Sequence, residues 1–408
     1  MRISPGLVPA LLLALCGSPT FAAATAAQAA CPQPGTWLRL AAGSRSVAVP
    51  PGEIIADMTR RDVVLLGEEH NDADHHSWQL HTLAALYAQY PRMVIGFEMF
   101  PHRAQPVLDR WVAGELTVEE FLQQSNWKQV WRFPPELYLP LFQFARIHRI
   151  QMVALNVDQK LTAEIAGKGW DGVPADSREG VSRPAPPSAD YRKYLFEVWR
   201  EHESARGRPG AEPTASNPAF GHFVDAQLTW DRSMAQGLAS RLGGSVAERR
   251  TLAVGIVGAS HLRNGYGVPH QLRALGVRNV GVLLPVDARA DCEDLTAGLA
   301  DAVFALAETR ASKPRPPRLG VRLEQIGSDV TLADVMTGSL AERTGLEKGD
   351  IIAQVAGRPL SSVSDLVEAV NRQPGGTWLP MLVKRGKQSL EIVVKFPPEP
   401  ETRAPAMP

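Results

Sequence analysis

Net charge is what this chain lacks most plainly: 43 Lys+Arg balance 43 Asp+Glu over 408 residues. With no long basic run either, the electrostatic footprint of a nucleic-acid binder is missing, and nucleic acid is excluded as a partner. Cysteine is scarce, at three residues. There is no C-x-x-C pair, no H-E-x-x-H and no G-x-G-x-x-G, so cysteine-ligated metal, zincin and dinucleotide chemistry have no support. The run GIVGASH holds a serine, but a nucleophile elbow needs G-x-S-x-G and His261 occupies the second glycine position, which argues against a serine hydrolase. Past the first thirty residues no apolar run is long enough to cross a bilayer. What is present, at 44% hydrophobic residues, suits one large globular domain and a smaller one.

Residues 1–30 read as an export signal: Arg2 is the positive start, LVPALLLALC the apolar core, and FAAATAAQAA the small-residue region, with cleavage after Ala24 or Ala29. A lipid on Cys16 or Cys31 is the weaker alternative, because Leu15 is bulky before Cys16 and Gln28 is polar three residues before Cys31. The expectation is a periplasmic or exported protein, with lipoprotein anchoring at a membrane surface as the lesser option. Cys31 and Cys292 would then sit where thiols oxidise, and one disulfide or two unpaired cysteines both stay open.

Apolar runs at 63–67, 93–100, 152–157, 252–261 and 279–286 have the character of buried parallel strands. Between them lie helical patterns such as HHSWQLHTLAALYAQY, LYLPLFQFARIHR and FVDAQLTWDRSMAQGLASRL. Strands apolar on both faces and alternating with helices predict an α/β fold, a mainly parallel sheet flanked by helices, over residues 35–308. Residues 171–190 and 204–221, rich in Pro, Gly, Ser and Asp, predict surface excursions around the helix YRKYLFEVWREHE. The stiff basic run ASKPRPPR places a linker at 309–317, a second domain at 318–397 and a disordered tail at 398–408.

In an open α/β sheet, ligands bind beyond the carboxyl ends of the strands. There this chain carries Glu68, Glu69 and His70, then Glu98, then Asn156 and Asp158, then Ser260 and His261. G-E-E-H and G-A-S-H repeat one G-x-x-H pattern at two strand ends. Two imidazoles with a carboxylate are the ingredients of a metal site or of water activation. On the following helix, with Asp72 or Asp74 as N-cap, His76 shares a face with Gln79, Leu80 and Leu83 and is placed toward the site. His75 and His81 read as structural.

The segment SLAERTGLEKGDIIAQVAGRPL, with GL-x-x-GD-x-I, and LGVRL before it resemble a bacterial-type PDZ domain over 318–397, a small α+β module. The resemblance implies that Leu319, Gly320 and Val321 hold the terminal carboxylate of a peptide added as a strand. A PDZ fold that only packs on its own large domain is the alternative. VVLLGEEHNDADHHSWQLHTLAAL, GFEMF, FVDAQLTWDRSMAQGLA and GASHLRNGYGVPHQL together resemble the ChaN-like haem-binding proteins of the TraB/Tiki superfamily, over about residues 50–287.

That resemblance implies haem or a related small ligand, with Tyr266 as first axial candidate, His270 and His261 next, His76 behind them, and Trp127, Trp131 and Phe133 as aromatic surface. Through the Tiki branch it also implies a metal-dependent hydrolase or peptidase. There His70, Glu98 and His261 would be ligands of a divalent metal, with Glu68 in the catalytic set and Arg263 as anion clamp. A third reading makes the PDZ domain a non-catalytic scaffold that takes the C-termini of exported proteins. A homodimer is compatible with each. Haem or iron-related binding is the first expectation.

Overall fold

A computed structural model describes residues 32–40, 46–205, 214–243, 250–288, 295–307 and 318–397. The export signal, Cys31, Cys292, the proline-rich linker and the tail lie outside the described residues. The chain divides into two compact units, Met1–Glu308 and Thr309–Pro408.

The first unit is built on eight strands: β1 (Trp37–Leu40), β2 (Ser46–Val49), β3 (Val63–Glu68), β4 (Met93–Pro101), β5 (Gln151–Asn156), β6 (Leu252–Gly258), β7 (Val280–Asp287) and β8 (Ala302–Leu306). Their order is β2-β1-β8-β7-β3-β6-β4-β5. The run from β8 to β5 is parallel throughout, and only β1 pairs antiparallel with its neighbours. This is the mainly parallel, helix-flanked sheet expected from the sequence. Strands β3, β4 and β6 are buried along their whole length, with side chains alternating between two cores. Val64, Leu66, Ile95, Phe97 and Ile256 enter one core, while Val63, Leu65, Val94, Ala253 and Val257 enter the other.

Helices Ala73–Gln89, Gln105–Val112, Val118–Gln124 and Leu139–Ile147 contribute to the first core, helices Pro218–Ala239 and Val268–Ala274 to the second. The helix at 73–89 starts where Asp72 accepts from the N–H groups of Asp74 and His75, so Asp72 is the cap.

Two expectations are corrected in detail. The strand placed at 252–261 ends at Gly258, and Ala259–His261 form a 3-10 turn that carries His261. Segment 171–190 does not lie loosely on the surface: Val173 and Val181 are buried with Leu161, Ile165 and Trp170 in a separate small core.

The second unit has an antiparallel sheet of β9 (Val321–Ile326), β10 (Asp329–Val335), β11 (Ile351–Val355), β12 (Arg358–Pro359), β13 (Trp378–Arg385) and β14 (Gln388–Lys395). The order is β14-β13-β11-β10-β9 with β12 paired to β11, which leaves β9 at an edge. Helices Leu340–Arg343 and Val363–Asn371 cover a core of Val330, Leu332, Ile352, Leu366, Val383 and Val394. Asp350 is fully buried and takes two donors from the Arg385 guanidinium, at 2.7 and 2.8 Å.

Candidate ligand cavity at the strand ends

Strands β3, β6 and β4 are adjacent, so the residues that follow or end them meet at one rim. Glu68 stands in register with Gly258. In β4 the register slips between Phe97 and Pro101, and Glu98 falls in that irregularity. Such bulges re-aim side chains, and here Glu98 turns across β6, its Oε2 accepting the Gly258 N–H at 2.6 Å.

Two histidines flank Glu98, each backed by its own carboxylate. His70 Nδ1 pairs with Glu68 Oε1 at 2.8 Å, and Glu68 is 1% exposed. His261 Nδ1 pairs with Asp231 Oδ1 at 2.6 Å, and Asp231 is fully buried. Each carboxylate is met by a tyrosine hydroxyl: Tyr138 donates to Glu68 at 3.3 Å and Tyr191 to Asp231 at 2.8 Å. His76 Nε2 lies 3.3 Å from the second oxygen of Glu68. With Nδ1 committed inward on both rings, Nε2 is the atom each histidine turns elsewhere; that of His261 lies 3.8 Å from Glu98 Oε1.

The electrostatics follow from these contacts. Complete burial opposes charge on His261, but Asp231, with help from Glu98, overrides it and pushes the imidazole up to about 9. For His70, partial burial again opposes charge, and the hydrogen bond it donates to Glu68 and the field of Glu98 raise it above the ordinary value. Burial lowers His75, which together with its bond to the Glu69 N–H gives it a structural place. Burial and the adjacent carboxylates hold Tyr138 and Tyr191 well above the usual phenol range, so both remain donors.

Above the pair opens a cavity of about 560 Å³, a volume suited to a cofactor-sized ligand. Trp131, Phe133, Tyr194 and Trp230 supply aromatic wall, and Arg103 and Lys160 are basic residues in its lining. The Trp131 and Phe133 rings lie 4.7 and 5.3 Å from the His70 ring.

The structure brings His70, Glu98, Asn156, Asp158, Ser260 and His261 to this one cavity, with Glu68 beneath it. Other expected residues stand elsewhere. Tyr266 stacks on Tyr191 outside the cavity lining, and burial and the Asp190 carboxylate raise its hydroxyl, which disfavours a phenolate. His270 Nε2 is engaged by the Pro186 carbonyl at 2.8 Å. His76 is 3% exposed and wedged among Glu68, Gln79 and the Tyr138 ring. Arg263 lies 3.8 Å from Glu69 and does not line the cavity. Trp127 is core, its indole N–H held by the Phe133 carbonyl.

His70, Glu98 and His261 thus share the cavity, yet among the described residues no group of three or more His, Cys, Asp or Glu is spaced to hold a metal ion. One oxygen of Glu98 accepts the Gly258 N–H, and His261 Nε2 stands 3.8 Å from the other.

Sequence reasoning missed the acid behind His261. Its signal was available: Val224, Leu228, Asp231, Ala235 and Leu238 follow helical spacing on one core-facing stripe, and a lone carboxylate there requires a buried partner.

The geometry defines a class of protein: a parallel α/β domain with a ligand cavity at its strand ends, joined to a PDZ domain. More particularly, the chain belongs to the haem-binding uptake family, Tiki superfamily, ChaN, whose model matches residues 54–272, and a PDZ model matches 317–396. It is similar to a structure titled cofacial heme binding to ChaN of Campylobacter jejuni, at 17% identity and TM-score 0.48, covering 66% of this chain and 96% of that one. A structure of the HtrA3 PDZ domain bound to a phage-derived ligand is 30% identical, at TM-score 0.18, covering 19% of this chain and 82% of that one. The serine protease HTRA1 of Xenopus tropicalis is 33% identical over 67 residues, 16% of this chain, and the match spans only 14% of that protein.

Proposed function

We propose that this protein is exported to the periplasm, binds haem in the strand-end cavity, and takes the C-terminal peptide of another exported protein at its PDZ domain. The observation that carries the haem reading is His70, an imidazole at a cavity of about 560 Å³, set against Trp131 and Phe133. The donor set fits: Glu68 on Nδ1 orients the ring and raises the basicity of Nε2, as a ligand's outer partner does. Bound haem would supply a redox-active iron. His70 would hold it, Trp131, Phe133 and Trp230 would exclude water from the macrocycle, and Lys160 would attract its carboxylates.

The test is haemin titration of the purified protein. Wild type should give a saturable Soret change; His70→Ala should weaken it at least about tenfold, as loss of a ligand or its support does. Tyr266→Phe should leave it intact. An unaltered His70→Ala titration would overturn this assignment.

A second reading, acid–base hydrolysis, is favoured by one observation: two carboxylate-backed histidines flank a single glutamate. His261, charged at neutral pH, would act as acid or electrophile, and Glu98 or His70 as base on water. Turnover found in a screen of ester and peptide substrates should fall by about 100-fold or more in Glu98→Gln, the scale of losing a general base. Unchanged turnover in that variant would remove Glu98 from the chemistry.

A further inference from the structure

The sheet of the second unit ends on β14, at the side opposite β9. An edge strand presents a row of unpaired backbone N–H and C=O groups, and proteins blunt such edges with proline, a bulge, charges or a covering group. The large domain closes its own edge strand β5 in this way: Gln105 donates to the Met152 carbonyl at 2.8 Å and accepts the Ala154 N–H at 2.9 Å. Among the described residues β14 has no such cover. It holds no proline, and its pairing with β13 runs from Arg385 opposite Gln388 to Trp378 opposite Lys395 without a register shift, whereas β10 on β9 and β11 on β13 both slip. Charge is its only protection, in Glu391 and Lys395.

Which groups face the open side follows from the ladder. The Phe396 N–H donates to the Thr377 carbonyl at 2.9 Å. Hydrogen-bonded and non-bonded pairs alternate in an antiparallel ladder, so Leu390, Ile392 and Val394 also turn their backbone groups to β13. Ser389, Glu391, Val393 and Lys395 therefore turn theirs to the open edge. Their side chains are all exposed, on the face of the sheet opposite the core that holds Met381, Val383 and Val394. Val393 is 40% exposed, and Trp378 on the same face is 66% exposed. The Lys395 ammonium lies 5.0 Å from the centre of the Trp378 ring, which holds it on this face.

We infer that β14 is an interface between two copies of this chain, paired antiparallel about a two-fold axis at Val393. One register satisfies the charges. With Val393 opposite Val393, Glu391 of each copy stands opposite Lys395 of the other, so a single surface is complementary to itself, as a two-fold interface requires. The neighbouring registers lose this match. An axis at Glu391 opposes two glutamates, an axis at Lys395 opposes two lysines, and an axis at Ile392 sets Glu391 against Val393 and Lys395 against Ser389. In the matched register the two exposed valines also cover each other. Strand β9, at the far edge, takes no part.

The experiment uses the full chain in sedimentation velocity over a range of concentrations. The unaltered protein should dimerise as concentration rises. Glu391→Lys sets lysine against lysine at both symmetry-related positions and should weaken the dimer at least about tenfold; adding Lys395→Glu should restore it. Val393→Cys should form a disulfide-linked dimer on mild oxidation, because directly opposed hydrogen-bonded residues stand about 5.5 Å apart between Cα atoms, within reach of a disulfide. Ser389→Cys, about 26 Å from its own mate along the strands, should not cross-link beyond the level of the unaltered chain, which carries Cys16, Cys31 and Cys292. A monomer at every concentration would overturn the inference, as would a dimer that Glu391→Lys leaves intact. Failure of the double variant to restore the dimer, or faster cross-linking at Ser389→Cys than at Val393→Cys, would overturn the register.

Discussion

Asp231→Ala should cost the large domain about 3–5 kcal/mol, the scale of stranding one partner of a buried charge pair. Asp231 is fully buried, holds His261 at 2.6 Å and takes the Tyr191 hydroxyl at 2.8 Å, so its removal strands both groups away from water. A urea melt should show the midpoint falling with the slope unchanged.

The same pair makes stability depend on pH, in a direction the contacts dictate. His261 stands at about 9 in the folded protein against 6.5 as its ordinary value. Its contribution is complete below pH 6.5 and is lost as pH rises through about 9, a span worth about 3 kcal/mol at 1.36 kcal/mol per unit. Asp231→Asn, which keeps the shape without the charge, should flatten that alkaline loss. Wild-type stability that stays level from pH 6.5 to 9.5 would contradict a charged His261.

Gly258→Val should empty the cavity of its function while leaving most of the fold. A Cβ at Gly258 would stand 2.8 Å from His70 Cε1 and 3.4 Å from Glu98 Oε2, inside the space the imidazole uses. Unlike a flexible chain end, the His70 ring is pinned by Glu68 on one side and Trp131 on another, so it cannot yield without breaking a contact. Overpacking of this kind costs about 1–3 kcal/mol. Haemin affinity should drop at least about tenfold, as when a ligand's support is removed. If both the melt and the haemin titration match wild type, the close approach of His70 to β6 is wrong.

Much of the site is legible in the amino-acid sequence alone. The apolar runs ending in G-E-E-H, G-F-E and G-A-S-H announce parallel strands whose polar residues collect at one end, and His70, Glu98 and His261 do line one cavity. The PDZ signature is equally local, since a tight turn, a buried Asp350 and a helix cap are each written in adjacent residues. Tyr266 and His270 show the limit. A tyrosine between glycines reads as an exposed ligand, yet Tyr191, distant in sequence, stacks on Tyr266, and the Pro186 carbonyl engages His270.

By itself the sequence determined the strand–helix alternation, the boundary in composition before the second domain, and the residue types at the strand ends, because hydrophobic period and turn chemistry are local. Only the tertiary structure decided that β6 lies between β3 and β4, so that Glu98 reaches across to the Gly258 N–H at the end of β6, close to both His70 and His261. It alone supplied Asp231 and Tyr191 behind one histidine and Glu68 and Tyr138 behind the other. A buried polar chain depends on which elements pack against which, and residues 70 to 261 meet only once the sheet has closed that distance.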